Sequence, residues 1–215
     1  MNFFMGGYMK AIIFDLDDTL IKWKDEYISF LKDVLLEMNY HFSDELINKI
    51  NWCIDDNEKH HDILSKEELL DYINTNCNIN LPIEFINKLV ERHKECVYED
   101  KELIDVIDYL SKKYDLYVIT NYFTDTQKER LNRMGVLKYF KNIYGADINY
   151  IKPNKKAFNI ILDKYNASDC ISIGDSLNND IIPALELGMN AIWKTNSKSS
   201  EYKTFNELKE LKEIL

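Results

Sequence analysis

A short apolar strand that runs into three carboxylates constrains the fold of this chain more than any other stretch. Residues Ala11–Phe14 are all apolar, and Asp15, Asp17 and Asp18 follow them directly. A short apolar run that ends at polar residues is typical of a buried strand in a parallel sheet. Ligands of open α/β sheets bind beyond the carboxyl ends of the strands, so this strand places Asp15 at the expected site. Taken alone, an Asp-x-Asp pattern is more often an acidic loop that caps the following helix.

The chain has 215 residues, of which 46% are apolar and 30% are charged, a balance that is typical of a globular protein. This length suits one medium-sized domain or one domain that carries an insertion. The net charge of −10 argues against a nucleic-acid groove or an anionic membrane as the main partner. No apolar run approaches the roughly 20 residues that span a bilayer, and Met1–Lys10 lacks the basic start and apolar core of a secretion signal.

The four cysteines show no Cys-x-x-Cys pair and no spacing typical of a zinc site. Free thiols are typical of a reducing compartment. We therefore expect a cytoplasmic protein. We also expect a monomer or a homodimer that, given its net charge, binds neither nucleic acid nor membranes.

The first half of the chain is predicted to be helical from about Trp23 to Val97. Ser65 and Glu68 fit a capping box at the start of one helix, and Pro82 suits the first turn of another. Trp52 is predicted to lie in the core of this segment. We expect residues 22–97 to form an all-helical domain, here called the helical insertion, between the two parts of a core domain formed by residues 1–21 and 98–215.

From Asp100 onward, helices and strands are predicted to alternate. Thr124 and Gln127 fit a capping box, and a final amphipathic helix closes the chain. Alternation of this kind indicates a parallel sheet with helices on both faces, so the predicted fold class is α/β and Rossmann-like. The predicted strands after the first one are Leu116–Ile119, Ile143–Ala146, Ile171–Gly174 and Ala191–Trp193.

Several of these strands end in residues that serve phosphate or metal chemistry. Asp15, Thr120 and Asp175 each follow an apolar strand, and Lys152 lies in a loop after another strand. Since parallel strands share one carboxyl edge, we expect these side chains to converge there. Together with Asp17 and Asp180, the carboxylates would repel one another unless a cation offset their charge, and ligands that are all oxygen favour Mg²⁺.

Such a site suits the transfer of a phosphoryl group. Lys152 would supply a fixed positive charge, and Thr120 would supply a hydroxyl and a backbone amide. A carboxylate held by a metal is a competent nucleophile that forms an aspartyl phosphate. A second carboxylate, for which Asp17 is the candidate, would protonate the leaving alkoxide and then activate water.

The residues of this site resemble the four motifs of the haloacid dehalogenase superfamily, in the same order and over nearly the whole chain. The segments that carry the resemblance are Asp15-Leu16-Asp17-Asp18-Thr19, Thr120-Asn121, Lys152-Pro153 and Gly174-Asp175-Ser176-Leu177-Asn178-Asn179-Asp180. The helical insertion is similar to the helical cap that this family carries between its first and second motifs. The resemblance implies the phosphatase branch of the family.

The resemblance also implies a role for each matching residue. Asp15 would be the nucleophile, Asp17 the general acid and base, and Lys152 would steady Asp15 and the phosphate. Substrate binding would involve Thr120 and Asn121 together with Lys152. The metal site would comprise Asp15, Asp175, Asp180 and the backbone carbonyl of Asp17.

These features favour a Mg²⁺-dependent phosphatase that acts on a small phosphate monoester. The aromatic content favours nucleoside monophosphates over phosphoglycolate or sugar phosphates, and Trp23 or Phe123 would either contact a substrate ring or pack beside the helical insertion. A sugar phosphomutase shares the first chemical step. Dehalogenases of the family lack the second aspartate, so Asp17 argues against that activity. A non-enzymatic receiver domain is shorter and has no counterpart of the Gly174–Asp180 segment.

Overall fold

A parallel sheet with the strand order β3-β2-β1-β4-β5-β6 forms the centre of the molecule. The computed structural model describes residues 10–22, 26–98, 100–197 and 199–215, without the side chains of Glu26 and Glu58. Residues 1–9 therefore lie outside the described residues, and so does Trp23. The strands are β1 (Ala11–Phe14), β2 (Asp115–Ile119), β3 (Phe140–Tyr144), β4 (Cys170–Gly174), β5 (Asn190–Lys194) and β6 (Thr204–Phe205).

The central strand β1 is apolar throughout because both faces of the sheet are covered. Ile12 and Phe14 contribute to the hydrophobic cluster on one face, and Ala11 and Ile13 contribute to the cluster on the other. Successive residues of a strand point to opposite faces, so a strand that is buried on both faces cannot alternate with polar residues. The predicted α/β class with helices on both faces is thereby confirmed.

The helices of the described chain fall into two groups. The first group lies in the predicted helical insertion and comprises α1 (Glu26–Glu37), α2 (Asp44–Asp56), α3 (Lys66–Cys77) and α4 (Ile83–His93). The second group flanks the sheet and comprises α5 (Lys101–Ser111), α6 (Thr124–Arg133), α7 (Lys156–Leu162), α8 (Ile182–Glu186) and α9 (Leu211–Ile214). Among the described residues, none of the helices has the length and hydropathy needed to span a membrane.

The helices α1 to α4 pack around a third apolar cluster, which includes Leu31, Ile50, Ile73 and Phe85 and is separate from the two clusters that cover the sheet. Local signals in the sequence start two of these helices, and the signal at α3 is the one predicted above. The Ser43 side chain accepts a hydrogen bond from the amide of Leu46 at the start of α2, and the Ser65–Glu68 capping box is present at the start of α3.

The helical insertion is attached to the carboxyl edge of the sheet by main-chain hydrogen bonds. The amide of Leu64 donates to the carbonyl of Ala146 at 2.8 Å, and the amide of Ile151 donates to the carbonyl of Asp62 at 2.8 Å. Phe123 is 5% exposed and belongs to the apolar cluster of the insertion. Of the two roles considered for Phe123, the structure therefore shows packing beside the insertion.

Several local predictions were wrong. Trp52 is 49% exposed, because the buried face of α2 is formed by Ile50 and Cys53 on either side of it. Pro82 precedes α4 instead of lying in its first turn. The third strand is Phe140–Tyr144 instead of Ile143–Ala146, and the short strand β6 was not anticipated.

The capping box predicted at Thr124 and Gln127 is also wrong. Thr124 is the first helical residue of α6, and Phe123 occupies the N-cap position without a side-chain hydrogen bond. The Thr124 hydroxyl donates to Asp147 Oδ1 at 2.6 Å instead. Gln127 turns towards the carboxyl edge of the sheet, where long-range partners replace the local one.

Candidate active site

A cavity of about 350 Å³ lies at the carboxyl edge of the sheet, where it separates the sheet from the helical insertion. Strands β1, β2 and β4 are neighbours and end in register, with Phe14 opposite both Val118 and Ile173. The residues that follow these strands therefore meet on one side. The core contributes to the lining Asp15, Asp17, Asp18, Thr120, Asn121, Tyr122, Lys152, Asp175, Ser176, Asn179 and Asp180, and the insertion contributes Ile54, Asp55, Leu64 and Leu69.

The Lys152 ammonium joins two of the carboxylates in this cavity. Its Nζ donates to Asp15 Oδ1 at 2.8 Å and to Asp180 Oδ1 at 2.6 Å, and the lysine side chain is only 4% exposed. Burial alone would lower the pKa of Lys152, but the charges of Asp15 and Asp180 outweigh it and raise that pKa. The lysine is therefore a permanently positive group between acids that would otherwise repel each other.

Asp180 reaches this position from a helical turn that follows β4, Leu177–Ile181. Its Oδ2 accepts a hydrogen bond from the amide of Ser176 at 3.1 Å. A side chain at position 174 would collide with it, since a Cβ there would lie 2.2 Å from Asp180 Oδ2. Burial raises the pKa of Asp180, although Lys152 lowers it.

Asp175 is held by Thr19, a residue to which the sequence analysis gave no role. The Thr19 hydroxyl donates to Asp175 Oδ1 at 3.2 Å and accepts a hydrogen bond from the amide of Asp175 at 3.0 Å. The indole of Trp193 donates to the Asp175 carbonyl at 2.7 Å. Burial, followed by the charges of Asp15 and Asp18, raises the pKa of Asp175 to about 6.

The Asp17 carboxylate is engaged by two side chains of α6 that the sequence analysis missed. Gln127 Nε2 donates to Asp17 Oδ2 at 2.6 Å, and the Arg130 guanidinium donates to Asp17 Oδ1. Arg130 is fully buried, and its Nε donates to the carbonyl of Cys96 at 3.1 Å. Burial raises the pKa of Asp17, Arg130 opposes this effect, and the charge of Asp15 adds to it.

A signal for these two residues was available in the sequence. Gln127 and Arg130 are three positions apart, so they lie on one face of a helix that begins just after Thr120. Gln127 also fits a capping box with Thr124, and that local pattern hides the face that Gln127 shares with Arg130.

Thr120 and Asn121 line the cavity, but part of their hydrogen-bonding capacity is used within the protein. The Thr120 amide donates to the Tyr144 carbonyl at 3.0 Å, so the predicted use of that amide for a phosphate is wrong. The Thr120 hydroxyl, which accepts from Gln127 at 2.9 Å, can still donate its proton. The Asn121 side chain pairs with the main chain of Lys152, donating at 2.9 Å and accepting at 2.8 Å.

The donor set of the cavity suits a hard divalent cation. Asp15, Asp175 and Asp180 each offer a carboxylate oxygen within 4.8 Å of the others. Oxygen ligands are those that Mg²⁺ and Ca²⁺ prefer, and Mg²⁺ is commonly bound by a few carboxylates together with phosphate oxygens. The Asp17 carboxylate does not belong to this described group.

Several known proteins are similar to this chain in sequence. Bacillus subtilis YfnB is 26% identical over 202 residues, which cover 86% of this chain and 83% of YfnB. Glyceraldehyde 3-phosphate phosphatase of Methanocaldococcus jannaschii is 28% identical over 225 residues, covering 96% and 97% of the two chains. The pyrimidine 5'-nucleotidase YjjG of Escherichia coli is 31% identical over 80 residues, which cover 35% and 36% of the two chains.

A solved structure of YfnB shows that the likeness extends to the fold. It superposes on this chain with a TM-score of 0.79 at 21% identity, covering 97% of this chain and 99% of that one. The family model described as haloacid dehalogenase-like hydrolase matches residues 12–194, which include every segment that meets in the cavity. The protein belongs to the haloacid dehalogenase-like hydrolase family.

Proposed function

We propose that this protein is a phosphatase that hydrolyses phosphate monoesters of small molecules with the help of a bound Mg²⁺ ion. The observation that carries the proposal is the convergence of Asp15, Lys152, Asp175 and Asp180 on one cavity. Three carboxylates beside one buried lysine leave a net negative charge that a divalent cation would balance, and the lysine and the cation together would face the negative charge of a phosphoryl group. Mg²⁺ held by Asp15, Asp175 and Asp180 would supply positive charge to the phosphoryl oxygens.

Asp15 is the proposed nucleophile. One of its oxygens forms a bond to phosphorus while the bond from phosphorus to the leaving oxygen breaks, which leaves an aspartyl phosphate. Lys152, which donates to Asp15 Oδ1 at 2.8 Å, holds the carboxylate in place and faces the incoming charge. The Thr120 hydroxyl is the proposed donor to a phosphoryl oxygen.

Asp17 is the proposed general acid and base. It gives its proton to the leaving alkoxide, and it later takes a proton from the water that attacks the aspartyl phosphate and releases inorganic phosphate. Burial and the charge of Asp15 favour the protonated carboxyl, whereas Arg130 and Gln127 favour the ionised carboxylate. Such opposing influences suit a group that must both lose and regain a proton.

The relatives support this proposal. Two of them are named as a glyceraldehyde 3-phosphate phosphatase and a pyrimidine 5'-nucleotidase, and the YfnB structure is bound to magnesium. Nucleoside monophosphates remain our proposal for the substrate class, and the helical insertion is the proposed cap domain. Membership of a hydrolase family gives no support to the receiver interpretation.

The test is hydrolysis of an aryl phosphate, such as p-nitrophenyl phosphate, by the wild-type protein with and without Mg²⁺. We expect turnover that EDTA abolishes and that added Mg²⁺ restores. Asp15→Asn should lower kcat by at least about 1,000-fold, since it removes the nucleophile, while its circular dichroism spectrum stays unchanged. Turnover in EDTA, or an active Asp15→Asn variant, would contradict the proposal.

A further inference from the structure

The wall of the cavity that faces the proposed phosphoryl site is apolar except for one carboxylate. Ile54, Leu64 and Leu69 of the helical insertion line this wall, and Asp55 lies among them. The leaving group of a phosphate ester held at Asp15 would have to occupy the space between that wall and the sheet. Asp55 is therefore the charged group of the insertion that a leaving group meets in this cavity.

Asp55 is available to a ligand. Its side chain is exposed, and among the described residues none forms a hydrogen bond or an ion pair with its carboxylate. Burial raises the pKa of Asp55, and the charge of Lys59, one helical turn away, opposes this effect. The ion pair of the Lys59 ammonium is with Asp56 Oδ1, at 2.6 Å. Asp56 also accepts hydrogen bonds from Tyr72 at 2.7 Å and His60 at 3.0 Å, so the neighbouring carboxylate is satisfied within the protein whereas Asp55 is not.

The electrostatics of this wall act against a second anionic group on the substrate. Asp55 lies in the last turn of α2, whose final carbonyl groups carry partial negative charge. Across the cavity, the Lys152 ammonium is already shared between Asp15 and Asp180. A carboxylate on the leaving group would thus approach Asp55, while a hydroxyl or amino group would donate a hydrogen bond to it.

We propose that Asp55 selects the leaving group, so that the preferred substrates are phosphate monoesters of alcohols that carry hydroxyl or amino donors and no further anionic group. This inference rests on the proposed phosphatase function. It includes polyols and nucleosides as the alcohol, and it disfavours esters whose alcohol bears a carboxylate or a second phosphate. Asp55 is a specificity-determining residue and takes no part in the transfer itself.

The test compares two esters that share a three-carbon skeleton, glycerol 3-phosphate and 3-phosphoglycerate, as competitors of p-nitrophenyl phosphate hydrolysis. The inhibition constant of each is measured for the wild type, for Asp55→Asn and for Glu45→Gln. Glu45 is an exposed acid in the first turn of the same helix and serves as the matched control. Competition gives an affinity whether or not each ester is turned over.

We expect the wild type and Glu45→Gln to bind glycerol 3-phosphate more tightly than 3-phosphoglycerate by about tenfold. Asp55→Asn should remove most of that preference, chiefly by tighter binding of 3-phosphoglycerate. Absence of the preference in the wild type, or its persistence in Asp55→Asn, would overturn the inference while leaving the phosphatase function standing. Failure of the wild type to hydrolyse the aryl phosphate would overturn the proposed function, and the inference with it.

Discussion

At the scale of single residues, the site depends on buried charges that are each held by a specific partner. The pair formed by Asp17 and Arg130 is the clearest case, because the arginine is fully buried and its guanidinium also donates to the Cys96 carbonyl. A buried ion pair contributes little net stability, but removal of one partner leaves an uncompensated charge. We infer that Arg130 and Gln127 position Asp17 for proton transfer.

This inference predicts a shared signature for Arg130→Met and Asp17→Asn. Both should slow the hydrolysis of alkyl phosphates more than that of p-nitrophenyl phosphate, since a nitrophenolate departs without protonation. Arg130→Met should also lower the free energy of unfolding by about 3 kcal/mol or more. Steady-state kinetics on both ester types and denaturant unfolding measure these effects.

Arg133→Met is the matched control on the same helix. Arg133 is partly exposed and pairs with Glu129 at i,i+4, so its loss should change the free energy of unfolding by no more than about 1 kcal/mol. It should leave the ratio of alkyl to aryl activity unchanged. Equal losses on both esters in Arg130→Met would show that Arg130 does not act through Asp17.

The sequence made some of these residues predictable and hid others. Asp15 and Asp175 each follow an apolar strand, so the geometry of a parallel sheet already brings them to one edge. Thr19 carries no such marker, because its partner Asp175 is distant in the chain. Arg130 is marked only by its place on the same helix face as Gln127, and that pattern does not reveal its carboxylate partner.

At the scale of elements, the end of β4 and the turn after it place Asp180. Gly174 is the last residue of the strand, and the side chain of Asp180 folds back over it. Any Cβ at this position would overlap the Asp180 carboxylate, so the turn and the glycine are needed together. The close approach of a side chain to the backbone is one of the uses of glycine.

We therefore predict that Gly174→Ala displaces Asp180. Overpacking of this kind costs about 1–3 kcal/mol of stability, and a shift of a catalytic-site group by about 1 Å can lower kcat about 100-fold. Ser172→Ala, on the same strand and also buried, should leave kcat close to that of the wild type. Thermal unfolding and kcat for both variants test this, and a Gly174→Ala variant with normal kcat would refute the displacement.

Elements with strong local patterns were predictable, and those set by distant contacts were not. The apolar strands β1, β2 and β4 and the capping box at Ser65 follow from local residue types. The Thr124–Gln127 pattern is equally local, but Asp147 binds Thr124 and Asp17 binds Gln127, so tertiary partners replaced the cap. β6 is a two-residue edge strand without enough apolar residues to be recognised.

At the scale of the whole molecule, negative charge is concentrated where a cation is proposed to bind. The chain carries a net charge of −10, and burial together with Asp15 and Asp18 raises the pKa of Asp175 to about 6. A ligand carboxyl must be deprotonated to bind a metal ion, so cation binding competes with protons. The parallel α/β sheet and the family could be anticipated from the sequence, whereas the strand order and this charge coupling needed the coordinates.

The competition gives a pH dependence with a definite sign. As the pH falls through about 6, Asp175 becomes protonated, and Mg²⁺ affinity should decrease, whereas it should approach a plateau at higher pH. Titration calorimetry with Mg²⁺ at about pH 5 and about pH 8 measures this difference, with circular dichroism at both values to confirm that the protein stays folded. Affinity that is constant, or higher at the acidic pH, would argue against Asp175 as a ligand.

The central claim is that Asp15 carries the phosphoryl group during turnover, and trapping this intermediate tests it most directly. The wild-type protein would be mixed with a substrate ester and Mg²⁺, quenched in acid within the first turnovers, digested, and analysed by mass spectrometry. We predict a phosphoryl adduct on the peptide that contains Asp15, localised to that residue and absent from Asp15→Asn. Product formation without any such adduct in the wild type, or an adduct on a different residue, would contradict the account.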